Sequence, residues 1–219
     1  MRTAKFILFI VLSLGSLGGL HAQALDISSG GAPTITGAIG GSVTGSSSVL
    51  NNLVVTINFG EIGPANTNTR VKVTVPIAVR SNGPYQVTVT YSGTTNGNAQ
   101  ALQKSDIGFG MNNWHAMGSN SRVCVNSPHT IRSPFNNDPA SNVTISAAGR
   151  AQYTSSLSNI TTSTIVLSGP RLSNGGSSRA TDDGYIFDAI FVVTPQFYAT
   201  GTTSATLTFT ISTGPTAPC

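Results

Sequence analysis

The sequence predicts an all-β protein, an antiparallel β-sandwich of immunoglobulin-like or jelly-roll-like kind, and three observations carry that expectation. Apolar residues recur at every second position through several separate stretches. No stretch combines a 3.6-residue apolar pattern with helical length and caps. The polar remainder is Ser, Thr, Asn and Gly, with 24 glycines among 219 residues, rather than charge. Charged residues make up 8% of the chain against 39% apolar, so a core can be filled, while charge-rich disorder and coiled coil are excluded.

The strands follow from the period. Val71, Val73, Val75, Ile77 and Val79 alternate with more polar neighbours and read as a half-buried strand. Pro76 interrupts it without a backbone donor, which predicts an edge strand or a bulge. Tyr85, Val87, Val89 and Tyr91 alternate in the same way after Ser81-Asn82-Gly83-Pro84. Asn-Gly favours the positive φ of a tight turn, so the two runs predict a hairpin. Leu53, Val55, Ile57 and Phe59 form a further run, as do Ala205, Leu207, Phe209 and Ile211. Residues 143–145 and 164–167 are shorter candidates, and 107–111 and 122–125 weaker ones. Residues 185–193 are apolar on both faces except for Asp188, which marks a central strand.

Three stretches read as looser. Residues 28–48 are rich in Gly, Ser and Thr, a flexible lead-in or an edge strand. Residues 112–142 are expected to form a long loop carrying Trp114, His115 and His129, and 173–183 a second loop ending in Asp182-Asp183-Gly184.

The N-terminus reads as an address. Arg2 and Lys5 precede an apolar run over residues 6–20, and Ala22-Gln23-Ala24 offers a small-x-small cleavage pattern, as in a secretory signal peptide. The run is shorter than the roughly 20 residues that span a bilayer, and no later run is long enough. The expected organisation is a signal peptide at 1–24, a Gly/Ser/Thr-rich segment at 25–50 and one sandwich domain at 51–219. The mature chain is expected outside the cytoplasm, periplasmic, secreted or on the cell surface, without a transmembrane segment. Cys124 and Cys219, the only two cysteines, are expected to form a disulfide there. Closing that loop would stabilise by about 4–5 kcal/mol in the chain-entropy account.

Composition removes most chemistry. The formal charge of +4 includes Arg2 and Lys5, and the remaining basic residues are scattered without a run, so a nucleic-acid footprint is missing. Glu61 is the only Glu, which excludes paired-Glu acid/base sites and His-Glu-x-x-His zinc helices. After the leader only His115 and His129 remain, and no Gly-x-Ser-x-Gly elbow occurs. Asp182 and Asp183 read as turn residues, with a calcium site as the alternative. No catalytic residues, metal or cofactor are expected. One binding candidate stands out, Asn112-Asn113-Trp114, where an exposed ring flanked by amides would stack on a sugar, helped by Tyr85 or Tyr91. A lone Trp in a β-sandwich is more often a core or loop anchor, and that is the first reading of Trp114.

The leader, the Gly/Ser/Thr-rich mature start, the series of alternating strands and the last run Thr203-Ser204-Ala205-Thr206-Leu207-Thr208-Phe209-Thr210-Ile211 together resemble secreted bacterial β-sandwich subunits, of fimbrial (pilin) or spore-coat-protein-U type. The resemblance covers the texture of most of the mature chain and no specific motif. It implies an N-terminal extension that completes a neighbour's sheet, and Ile35, Gly37, Ile39, Gly41 and Val43 have the i, i+2 spacing for that part. The late cysteines and the tail Gly214-Pro215-Thr216-Ala217-Pro218 depart from the pattern. The expected function is therefore a non-enzymatic surface or structural protein, a fimbrial or coat-like subunit or adhesin that self-associates by strand addition. The alternative is a carbohydrate-binding module built on Trp114, with a glycan as partner.

Overall fold

Period-two sequences place one row of side chains on each side of a strand, and here the apolar rows of two sheets face each other. The structure, a computed structural model, describes residues 25–37, 41–49, 51–60, 70–93, 101–117, 124, 129–172, 184–196 and 204–216. The expected signal peptide, Ile39, Asp182, Asp183 and Cys219 lie outside the described residues.

Thirteen strands form among the described residues: β1 (Leu25–Ser29), β2 (Thr34–Thr36), β3 (Ser42–Val49), β4 (Asn52–Asn58), β5 (Val71–Ser81), β6 (Tyr85–Gly93), β7 (Ile107–Ala116), β8 (Thr130–Ile131), β9 (Thr144–Ile145), β10 (Ala151–Gln152), β11 (Thr164–Gly169), β12 (Tyr185–Val193) and β13 (Ser204–Thr213). One sheet has the order β1-β5-β12-β7, with β2 also on β5; the other has the order β3-β4-β13-β6-β11-β8. Every pairing is antiparallel, and β9 with β10 makes a separate small ribbon. The protein is an antiparallel β-sandwich. Its interior holds Val73, Ile77, Phe187 and Phe191 from the first sheet and Val55, Val89, Leu207 and Phe209 from the second. Phe109 on β7 meets Phe209 on β13 across the gap, with ring centroids 6.5 Å apart.

Several sequence expectations need correction. The predicted hairpin of β5 and β6 does not form. β5 pairs with β1, β2 and β12, whereas β6 pairs with β11 and β13 in the opposite sheet. A primed hairpin turn requires positive φ, and neither Asn82 nor Gly83 has it. Ser81 instead donates its hydroxyl to the Gly83 carbonyl (2.7 Å), and the chain arches from one sheet to the other. Both apolar rows are still buried, each against the other across the interior rather than side by side.

Pro76 is neither on an edge strand nor at a bulge of β5. Its strand lies between β1/β2 and β12, and the missing donor falls where the outer partner is broken. β1 ends opposite Ile77, β2 begins opposite Thr74, and Gly30 N–H donates to the Pro76 carbonyl (2.8 Å) in the gap between them. The proline thus costs no ladder bond.

β1, β2 and β3 are edge strands of the chain's own sheets. Ile27 is fully buried, and Asp26 faces Arg80 across the β1–β5 rung, Arg80 Nη1 donating to Asp26 Oδ2 at 3.1 Å. Ile35 lies on β2, opposite Val73, and Val43 on β3, opposite Ile57. Gly37 takes a positive φ (76°) after β2, a conformation that suits glycine, and Gly41 lies just before β3.

The expected loop from residue 112 is partly strand, since β7 continues to Ala116. Beyond β7 the chain does contain a long irregular stretch, and residues 133–156 fold over the outer side of β7 and β12. Ser155 and Phe135 carbonyls accept from Phe109 and Met111 N–H, so the outer edge of β7 is capped by the chain itself. Lys72 Nζ holds this stretch from β5 through Asp138 Oδ2 (2.6 Å), and Arg70 Nη1 donates to the Ala140 carbonyl (2.6 Å). The covering explains why Ile190 and Val192, on the outward side of β12, are buried. It is possible because their neighbours on β7 are Gly110 and Gly108. A Cβ at Gly108 would come 2.6 Å from Tyr153 Cδ1, and one at Gly110 would run into the Asn137 carbonyl oxygen.

Gly110→Ala is therefore expected to destabilise by about 2 kcal/mol, at the middle of the range for overpacking. Gly45→Ala, where a Cβ meets nothing within 4 Å, should stay within about 0.5 kcal/mol of the parent. Urea unfolding midpoints of the two variants, read at equal m-value, check this.

Candidate functional site

Two ends of the sandwich concentrate polar and aromatic groups, and the sequence candidates fall at the first. β7 and β12 keep regular register from Ile107↔Val193 to Asn112↔Asp188, then slip before His115↔Ile186. Two residues of β7, Asn113 and Trp114, oppose the single residue Phe187. That is a β-bulge, and Asn113 adopts the left-handed conformation (φ 55°) that Asn tolerates. The bulge reverses the parity of β7. Ile107, Phe109 and Met111 point inward, and without the slip Asn113 would follow them. With it, Trp114 turns toward the interior and Asn113 turns outward.

The two predicted amides and the ring consequently part company. Asn113 Nδ2 donates to Asp188 Oδ2 (2.8 Å) on the outer side of the sheet. Asn112 sits opposite Asp188 and is half-buried. Trp114, also half-buried, lies nearly parallel to Tyr185 (4.6 Å between centroids, 10°), with Phe187 at 5.9 Å and His129 at 5.6 Å. Trp114 therefore stands on a strand rather than in the loop expected for residues 112–142, stacked on protein rings as an anchor and not as the exposed platform of the alternative reading. Tyr85, offered as an exposed helper, is fully buried, and Tyr91 lies at the far end of β6.

Below Trp114 the cluster is closed by hydrogen bonds. His129 Nε2 lies 3.3 Å from the Cys124 carbonyl oxygen, which can only accept, so Nε2 carries the hydrogen. Nδ1, 3.1 Å from the Tyr85 hydroxyl, then accepts from it. Burial lowers the His129 pKa, against the raising effect of the bond to Cys124. Burial also holds the Tyr85 hydroxyl well above the usual phenol range, with the neighbouring Tyr185 adding to it. Both shifts keep the cluster neutral at pH 7. Gly169 backs directly against the His129 ring, where any side chain would displace it. Cys124 itself is buried and is not a free thiol. His115 lies apart, exposed, its Nδ1 donating to the Asn113 carbonyl (2.7 Å). Among the described residues no group of three or more His, Cys, Asp or Glu is placed to hold a metal ion. No helix there is long and apolar enough to cross a membrane.

The opposite end carries a feature that no sequence signal marks. A shallow, open groove of about 610 Å³ lies between the end of β6 and the 3₁₀ turns Lys104–Asp106 and Leu157–Asn159. Tyr91, Ser92, Gln103, Lys104, Ser105 and Ser158 line it, and Lys104 Nζ sits 4.3 Å from the centre of the Tyr91 ring. Asp106 turns away from the groove into the body, almost fully buried, where it accepts from Gln103 N–H (2.8 Å) and is paired with Arg150. No motif announces this place, because its residues come from three separate parts of the chain. No family model, curated protein or solved structure matches the chain.

The His129 environment predicts a pH response with a definite sign. A base whose folded pKa lies below its unfolded value of about 6.5 takes up protons preferentially on unfolding once the pH drops toward 6.5. Its contribution is thus complete above about pH 6.5 and is lost as the pH falls toward the folded pKa. The stability difference between the parent and His129→Gln, measured by urea unfolding, should shrink between pH 7.5 and 5.5. A difference that stays constant over that interval would mean the ring titrates alike in both states.

Proposed function

We propose that the mature chain is an exported, non-enzymatic β-sandwich that serves at the cell surface as a structural subunit, fimbrial or coat-like, or as an adhesin. The leader-like start of the sequence supports export. His115 and His129 make hydrogen bonds to backbone carbonyls and to the Tyr85 hydroxyl among the described residues. Over β3, β4, β13 and β6 the outer side of the second sheet is polar and uncharged, with Thr44, Thr56, Thr206, Thr208, Thr88 and Thr90 in neighbouring rungs. Such a face is hydrated yet free of the charge fields that would repel a second copy.

The observation that carries the proposal is the edge formed by β3. Of the sheet edges, that of β7 is capped by Ser155 and Phe135, β8 is two residues long, and β1 and β2 are short and separated by Gly30-Gly31-Ala32-Pro33. β3 runs for eight residues, pairs only with β4 among the described strands, and contains neither Lys nor Pro. Its pairing with β4 runs in register over Ser42–Ser46 and shifts only before Val49, so five regular residues without Lys or Pro are left as a template for strand addition. The reading shifts the assembly from the one implied by the family resemblance. Ile35 and Val43 are paired within the chain's own sheets, and β3 is the acceptor of a strand rather than the donor.

Gly45 gives the test. Gly45 is exposed and its Cβ position is open, so Gly45→Lys brings a charge to the β3 edge. Sedimentation of the mature chain should show concentration-dependent association that Gly45→Lys removes at unchanged melting temperature. A parent that stays monomeric at every concentration would overturn the proposal.

Cys124 and Cys219 are assigned to one intramolecular disulfide, which ties the C-terminal tail to the His129 cluster through Cys124. Alkylation of unreduced, unfolded protein should add no label, and reduction should expose two thiols. Reduction is expected to cost up to about 4–5 kcal/mol in urea unfolding, the chain-entropy value for a loop of this length.

A further inference from the structure

The groove at the β6 end has no part in strand addition, and its lining is specific enough to name a ligand class. We propose that it binds an acidic saccharide, a uronic acid unit within a polysaccharide, with Lys104 meeting the carboxylate. The volume, about 610 Å³, lies within the usual range of small-molecule sites. Its open shape leaves room for a chain to enter and leave at the surface, as a polymer segment requires.

The charge balance gives the sign of the ligand. Among the described residues, Lys104 is the one charged member of the lining, and no acidic residue faces it there. The nearest carboxylate along the chain, Asp106, is buried and already engaged by Arg150 and the Gln103 amide. Lys104 rests instead on the face of Tyr91, a contact of modest strength for a half-exposed ammonium. A ligand carboxylate therefore gains the charge without first breaking an ion pair.

The rest of the lining argues for a sugar over a phosphate or a peptide. Ser92, Ser105 and Ser158 present hydroxyls suited to other hydroxyls, Ser158 also bonding Ser156 Oγ (2.7 Å), while the Tyr91 ring under Lys104 holds the ammonium in place at the groove. A phosphate site would call for an Arg fork or converging backbone N–H groups. Extended peptide would look for an unpaired strand edge, which lies elsewhere, at β3.

The test uses the mature chain and two polymers, polygalacturonate and neutral galactan, by affinity electrophoresis and calorimetry. The parent should bind polygalacturonate at least about tenfold more tightly than galactan, a gap of about 1.4 kcal/mol, and less tightly as salt rises. Lys104→Gln should lose about tenfold, whereas Lys104→Arg, which keeps the charge, should retain binding within a few-fold. Arg171→Gln is the charge control. Arg171 is exposed just beyond β11, near the Tyr85 end of β6, so its loss should leave binding unchanged. Equal binding of both polymers, equal losses in Lys104→Gln and Arg171→Gln, or no binding by the parent would each overturn the proposal. Melting temperatures of the variants, expected to match the parent, separate lost binding from lost fold.

Discussion

Each strand of this sandwich must keep one side dry, and the structure can be understood as the ways in which that is achieved. Inward rows of Val, Ile, Leu and Phe from two sheets fill the interior, and burial of that apolar surface is the main favourable term in folding. At the sides, β7 is closed by a stretch of chain that lies over it, and β1 is pinned to β5 by Ile27 and the Asp26–Arg80 pair. At one end the row is completed by Trp114, Tyr185, Tyr85 and His129. That end requires a bulge. One extra residue in β7 is what turns Trp114 inward, and an Asn in a left-handed conformation makes it tolerable.

Neutrality of the same end follows from burial. Water is excluded from Tyr85 and His129, so each is favoured in its uncharged form, and their mutual hydrogen bond then has a fixed direction. The opposite end is built on another principle. There Asp106 takes Arg150 inside, leaving Lys104 at the surface over an aromatic ring among serines. The sandwich thus has one end sealed by aromatic packing and one end with an open groove.

Much of the fold is legible in the period of the sequence. Alternation predicts the strands at β4, β5, β6, β12 and β13, and the apolar double face of residues 185–193 correctly marks a strand between two others. Period two reports the face of a residue and not its hydrogen-bonding partner. For that reason β5 and β6 look like a hairpin from sequence, although they stand in opposite sheets. Pro76 misleads in a related way, since a proline is tolerated inside a sheet when the neighbouring strand breaks opposite it. The site is less legible. Trp114 stands out by its residue type, but a bulge destroys local alternation and makes its strand read as loop. Lys104 and Tyr91 meet only because two 3₁₀ turns and a strand end converge, which no local pattern records.

β1, β2 and β3 complete their own molecule's two sheets rather than waiting for a neighbour. Backbone amide hydrogen exchange of the mature chain, kept dilute so that it is monomeric, measures this directly. Protection of amides in β1 and in the β4-facing side of β3, lost together with that of β5 and β4 as denaturant is added, is the expected result. Amides of β1 that exchange at the free-chain rate in the monomer and slow only on association would contradict it.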